Sequence, residues 1–337
     1  MDAPKEFHYR LAGRISGQRP GSHPGSSVGA GQEFVAHRNL YDYPDPRRLD
    51  LRASLRTLQG EWLVRVNRQR TGTTVRALVD VSASMSFGAS LPKLHVVADL
   101  VEALGMSAFR VGDAVGMMAF DTGERTELFM PARVSRGMGA VMAAALREWS
   151  THLQRRRRPK HDFGHFPSTR GGPQHGRDEP SPGSGTSRRG QADESPSARD
   201  RRRAAHGAWI GLEDCASRLA GQQALVFLIS DFHWPLSHLN AALDLMSHAT
   251  VIPIVVWDRA ETNPPTENTL ASLSDMESRA RRTLWLRPKL RAEWRRSVER
   301  RRAEIDEFFH ARTLRPFYME GAFDADALSR YFFEADA

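Results

Sequence analysis

Asp80, Ser82 and Ser84 alternate within TVRALVDVSASM at residues 74–85, where an apolar run ends in a carboxylate followed by two hydroxyls. Three oxygen donors gathered within one turn suit a hard divalent cation, Mg²⁺ or Mn²⁺. A second apolar run, ALVFLIS at 224–230, also ends in a carboxylate, Asp231. In an open parallel sheet the loops that follow the strands share one face, so Asp231 is placed near Asp80 and the four residues together sketch a metal site. The competing reading is that the Asp and Ser residues only cap the turns that follow their strands.

These loops need an alternating scaffold, and the apolar pattern supplies one. After the first strand, Leu94, Val97, Ala98, Val101, Leu104 and Ala108 recur at helical spacing. Residues 114–120 and 125–130 read as strands, and 138–153 as a helix. Further helices are expected near 210–219 and 236–248, with a strand at 250–257. This order predicts an α/β protein built on a mostly parallel sheet flanked by helices. Residues 61–67 read as a strand that pairs with the first core strand through the connection at 68–73. Beyond 258 a helical C-terminal extension, 259–337, is expected. Its Leu290, Trp294, Val298, Ile305, Phe308 and Phe309 form an apolar stripe opposite an arginine-rich face.

Two stretches lack the aliphatics needed for a core. Residues 1–30 are rich in Gly, Pro and Ser, and are expected to be poorly ordered. Residues 155–206 carry 13 Lys/Arg and 6 Asp/Glu, so this one segment holds +7 of the net charge of +8. With almost no large aliphatics it reads as a disordered basic insertion, far longer than an ordinary loop. Arginine runs bind nucleic acid or acidic surfaces through charge, but no aromatics interleave with 155–158 or 201–203 to stack bases, which argues against nucleic acid as the main partner.

The composition narrows the classes. At 337 residues and 40% hydrophobic content the chain can bury a sizeable core. Its longest apolar runs fall far short of the ~20 residues of a membrane-spanning helix. The start MDAPKEFHYRLAGR has no apolar segment of the signal-peptide kind, which makes a cytoplasmic location the expectation. The single cysteine, Cys215, excludes an internal disulfide and a thiolate metal site. No GxxxxGK[ST] run is present, so the chain is not itself read as an ATPase. A hydrolase would recruit Ser84, His95 and Asp231, yet no nucleophile elbow surrounds Ser84.

The motif Asp80-x-Ser82-x-Ser84 after a core strand resembles the metal-ion-dependent adhesion site of von Willebrand factor A-type domains. More narrowly, VDVSASMSFG at 79–88, Lys93, GDAVGMMAF at 112–120 and LISDF at 228–232 resemble a bacterial family of unknown function encoded beside MoxR-type AAA+ ATPases. The lead-in GAGQEF at 29–34 and RNLYDYPDPRRLDLR at 38–52 is similar to that family too. The resemblance divides the chain into a lead-in at 31–73, a von Willebrand factor A-like domain at 74–258 interrupted by the insertion, and the C-terminal extension.

The resemblance implies a non-enzymatic protein-binding adaptor. Asp80, Ser82, Ser84 and Asp231 would hold Mg²⁺ or Mn²⁺, and a partner carboxylate would complete the shell. The partners implied are a MoxR-type AAA+ ATPase and a client enzyme whose maturation or metal insertion the pair would serve; one branch of the family points to methanol dehydrogenase. The chain departs from the pattern in two places. Pro44-Asp45 and Asp50-Leu51 stand where a Gly-Asp and an Asp-Trp are usual. The threonine of the second metal loop has no counterpart in HGAWIGLED at 206–214. The alternative is an acidic-surface or nucleic-acid binder acting through the arginine-rich insertion.

Overall fold

A computed structural model of the chain describes residues 6–10, 20–29, 31, 33–57, 60–157, 209–265, 270–274 and 281–334. In chain order the strands and helices are β1 (Pro20–Gly29), β2 (Glu33–Asn39), α1 (Leu51–Ser54), β3 (Leu63–Thr71), β4 (Thr74–Asp80), α2 (Lys93–Val111), β5 (Ala114–Phe120), β6 (Met130–Arg133) and α3 (Met138–Arg157). They continue with α4 (Trp209–Leu219), β7 (Leu225–Ser230), α5 (Leu239–Leu245), β8 (Thr250–Trp257), α6 (Arg259–Thr262), β9 (Leu270–Ser274), β10 (Arg281–Trp285), α7 (Pro288–His310), β11 (Phe317–Glu320) and α8 (Ala325–Glu334).

The main sheet has six strands in the order β11-β8-β7-β4-β5-β6, with β6 alone antiparallel to its neighbour. This is the expected α/β class with a mostly parallel sheet. Both faces of its central strands are buried, and side chains alternate between them as a period of two requires. Val75, Ala77 and Val79 of β4, with Phe227 and Ile229 of β7, join α2, α3 and α8 in one core. Leu78, Val226 and Leu228 face the other way and pack against α4, α5 and α7.

The helix pair α2 and α3 approaches closely at two glycines. A Cβ built on Gly105 would lie 2.3 Å from Gly139 Cα, so no side chain fits there. That contact lets the backbones of α2 and α3 approach each other closely.

Several expectations are corrected. The strand before β4 does not pair with it. β3 pairs instead with β1 and β2 in a separate antiparallel sheet, because β5 and β7 already occupy both edges of β4. The strand expected at 125–130 begins later: a single 3₁₀ turn, Thr126–Leu128, precedes β6.

The N-terminal segment, expected to be poorly ordered, contributes β1 and two buried aromatics, Phe7 and Tyr9. Its anchor is Asp113, fully buried at the start of β5, whose carboxylate accepts hydrogen bonds from Tyr9 Oη (2.6 Å), Thr73 N (2.8 Å) and, also at 2.8 Å, His23 Nε2. Sequence patterning read Gly112-Asp113 only as a turn.

The C-terminal region is also more than a helical extension. α7 docks through Ile305 and Phe309, both fully buried, as the stripe requires. β11 then completes the main sheet beside β8, and α8 covers its face, so the domain does not end at 258. The antiparallel pairing of β9 and β10 was not foreseen. Of the insertion at 155–206, residues 155–157 end α3 and the rest lies outside the described residues.

Asp50 has a structural role. Its carboxylate caps α1 through Ala53 N (3.1 Å) and accepts from Arg65 Nε (2.6 Å) and His37 Nε2 (3.1 Å), which ties β2, β3 and α1 together. Those hydrogen bonds, led by the backbone N–H, hold the Asp50 carboxyl well below the usual carboxylate range.

Candidate functional site

The strand order reverses between β4 and β7: the chain runs from β4 outward to β5 and β6, then returns to the other side of β4 for β7 and β8. A crevice outside the carboxyl ends of the strands at such a point is where open α/β sheets bind ligands. Asp80 is the last residue of β4, and Asp231 directly follows β7.

Register determines which way each carboxylate points. Val79 lies opposite Ile229, which sets Asp80 beside Ser230 on one face of the sheet. Ser230 Oγ donates to Asp80 Oδ2 at 2.6 Å, and Trp234 Nε1 approaches the same oxygen at 3.4 Å. Ser82 N donates to Asp80 Oδ1 at 2.9 Å, closing the turn after β4. Asp231, one residue further along, falls on the opposite face, where α2 begins. Lys93, the first residue of α2, reaches it: Lys93 Nζ lies 2.8 Å from Asp231 Oδ2 and 2.9 Å from Glu261 Oε1 of α6. Lys93 is 1% exposed, and Asp80 and Asp231 are not exposed at all.

The electrostatics follow from this packing. Burial, reinforced by the charge of Asp231, pushes the Asp80 carboxyl up. Burial alone would raise Asp231 as well, but the Lys93 ammonium beside it holds it low. Burial alone would lower Lys93, and the two carboxylates reverse that and raise it. One buried carboxylate is thus compensated by a cation, and the other by neutral donors.

The two serines sit above. Ser82 Oγ and Ser84 Oγ are 3.2 Å apart, and the Ser84 hydroxyl helps to hold the Asp231 carboxyl low. Ser82 is buried and Ser84 is half-buried at the surface. The structure therefore brings all four predicted residues to one edge. Burial first and the Arg147 charge second lower the His95 imidazole, with Asp99 opposing them, and among the described residues His95 has no hydrogen bond to Ser84.

The turn after β7 is held in an unusual backbone. Phe232 has φ of +50°, a left-handed conformation that bulky residues rarely adopt. Its ring is fully buried and meets Phe309 edge-on at 5.4 Å, while Arg301 of α7 donates to the Phe232 and Trp234 carbonyls. Trp257 Nε1 donates to the Asp231 carbonyl at 3.0 Å. Beside this turn lies a groove of about 540 Å³, lined by His233, Trp257, Glu261, Trp294, Val298 and Arg301 among others. Glu261 links the groove to Lys93.

Does this arrangement fit a divalent ion? The serine hydroxyls are spaced as two adjacent ligands of a six-coordinate cation would be, with metal–oxygen bonds of about 2.1 Å. The carboxylates fit less well. Asp231 already has a cation on it, and both oxygens of Asp80 are hydrogen-bonded by protein groups. The residues just before α4, where a threonine ligand would come from, lie outside the described residues. The donor set as placed does not match the expected Mg²⁺ or Mn²⁺ centre.

Sequence reasoning missed Glu261, Ser230, Trp234 and Arg301 as parts of this edge. It noted Lys93 only as a match, with no role. A lysine at the first turn of a helix carries no pattern that distinguishes it from a surface residue; only its burial does so.

Among the described residues no helix is long and apolar enough to cross a membrane. No curated protein and no solved structure matches the chain. Residues 40–175, which include Asp80, Ser82, Ser84 and Lys93 but stop short of Asp231, match the model of a family described as "Protein of unknown function DUF58".

Proposed function

We propose that the protein is a non-enzymatic, cytoplasmic adaptor with a von Willebrand factor A-like core that binds a partner protein at the carboxyl edge between β4 and β7. The observation that carries this reading is the convergence of Asp80, Ser82, Ser84 and Asp231 at the strand-order reversal, with the half-buried Ser84 hydroxyl reaching the surface. Ser84 Oγ lies 3.2 Å from Ser82 Oγ, and the Asp231 carboxylate is engaged by Lys93, which favours a binding role for the hydroxyl over a nucleophilic one. The adjacent groove offers Trp257, Trp294 and Val298 for an apolar contact next to the polar edge.

By the family resemblance the partner is a MoxR-type AAA+ ATPase, and the pair would serve maturation or metal insertion in a client enzyme, methanol dehydrogenase being one such client. The test is sedimentation of the full chain with a MoxR-type ATPase from the same organism, in the wild type and in Ser84→Arg. A stoichiometric complex weakened at least tenfold by the variant is expected. An unaffected complex, or none, overturns the reading.

A second reading rests on α7. Arg295, Arg296 and Arg300 are exposed along it and carry no ion pair among the described residues, a surface suited to an acidic partner. Binding to nucleic acid or polyanion that falls steeply with salt and is lost on removing these three charges would favour it.

A further inference from the structure

The expected centre needs a divalent cation to balance Asp80 and Asp231 and to hold the two loops together. The structure already places a cation on one of the two, Asp231, while Asp80 is met by neutral donors. Lys93 Nζ bridges Asp231 Oδ2 and Glu261 Oε1 at 2.8 and 2.9 Å, with its side chain 2% exposed. An ammonium is not buried at this depth without compensation, and here it has two carboxylates. Glu261 is positioned in turn: its other oxygen accepts from Asp258 N at 3.0 Å, completing a capping box at the start of α6. Lys93 thus ties together the start of α2, the turn after β7 and the start of α6. Of these, the turn after β7 carries an expected metal ligand, Asp231; the loop after β4 is held by the hydrogen bonds that Asp80 accepts from Ser82 N and Ser230 Oγ.

We infer that Lys93 is the resident cation of this edge, so that the site is complete without a divalent metal. A second cation on Asp231 would sit within one carboxylate's width of the ammonium and be repelled by it. Ser82 and Ser84 then act as hydrogen-bonding groups toward a partner and not as metal ligands. The partner has no need of a carboxylate to complete a metal shell.

The inference concerns the same edge as the adaptor reading but is tested without any partner, so the two can fail separately. The experiment is calorimetric titration of the full chain with MgCl₂ and MnCl₂, for the wild type, Asp80→Ala and Lys93→Met, together with melting curves of each in both salts. The wild type is expected to show no saturable heat and no shift in Tm at millimolar metal, the weak end of protein sites for hard cations. Lys93→Met is expected to melt well below the wild type and to recover several degrees with Mn²⁺, as a carboxylate pair freed of its cation would. Saturable Mg²⁺ or Mn²⁺ binding by the wild type that Asp80→Ala abolishes would overturn the inference. So would a Lys93→Met protein with unchanged Tm. Should Lys93→Met not fold, the wild-type titration decides alone.

Discussion

The Lys93 ammonium and the Asp231 carboxylate, 138 residues apart in the chain, form a fully buried ion pair 2.8 Å long at the carboxyl edge of the sheet. Breaking such a pair on one side leaves an uncompensated charge in the interior, at a cost of about 3–5 kcal/mol. Asp231→Asn is expected to fall in that range. Glu261→Gln removes a partner that is 23% exposed and leaves Asp231 in place, so its cost is expected to be clearly smaller. Denaturant midpoints of the two variants check the order; equal losses would show that Lys93 depends on both carboxylates alike.

The pH dependence of the edge has a definite sign. The Asp80 carboxyl is raised to about 6 in the folded state, by burial first and the charge of Asp231 second. A group raised on folding contributes stability below its unfolded value, and that contribution is lost as pH rises through the folded one. Relative to Asp80→Asn, which does not titrate, the wild type is therefore expected to lose stability between pH 4 and pH 7. Melting temperatures of both proteins across that window test it. A constant difference would mean that Asp80 is ionised throughout, as a bound cation would make it.

Packing of α3 on α2 gives a stability test remote from the edge. Gly105→Ala would force a methyl to within 2.3 Å of the Gly139 backbone, which cannot yield as a side-chain end can. Overpacking of this kind costs about 1–3 kcal/mol. Gly137→Ala meets nothing within 4 Å and is expected to leave stability unchanged or slightly improved. Chemical denaturation of the two variants checks this, with a lower midpoint expected for Gly105→Ala alone.

How much of this was readable beforehand depended on the range of the signal. Apolar runs at 74–80, 114–120, 224–230 and 250–257 gave the core strands, because buried parallel strands are apolar on both faces. The Asp80-x-Ser82-x-Ser84 spacing and Asp231 were legible because each sits where a strand ends. The parts that bind these residues were not legible. Glu261 and Lys93 meet Asp231 only through the register of β7 and the entry point of α2, and no local pattern encodes that meeting. Similarly, a Gly-, Pro- and Ser-rich start predicts poor order over 1–30, yet Tyr9 and His23 converge on Asp113 and Phe7 is buried beside them. The edge strand β11, four residues long, is too short for periodicity to reveal.

The most direct test of the central claim, that the carboxyl edge is the binding face, is hydrogen–deuterium exchange on the full chain alone and with the proposed partner, a MoxR-type ATPase, in excess. The account predicts protection concentrated in residues 81–91 and 231–238, the loops that follow β4 and β7. Protection confined to the opposite edge, around Thr73 and Gly112–Asp113, would contradict it.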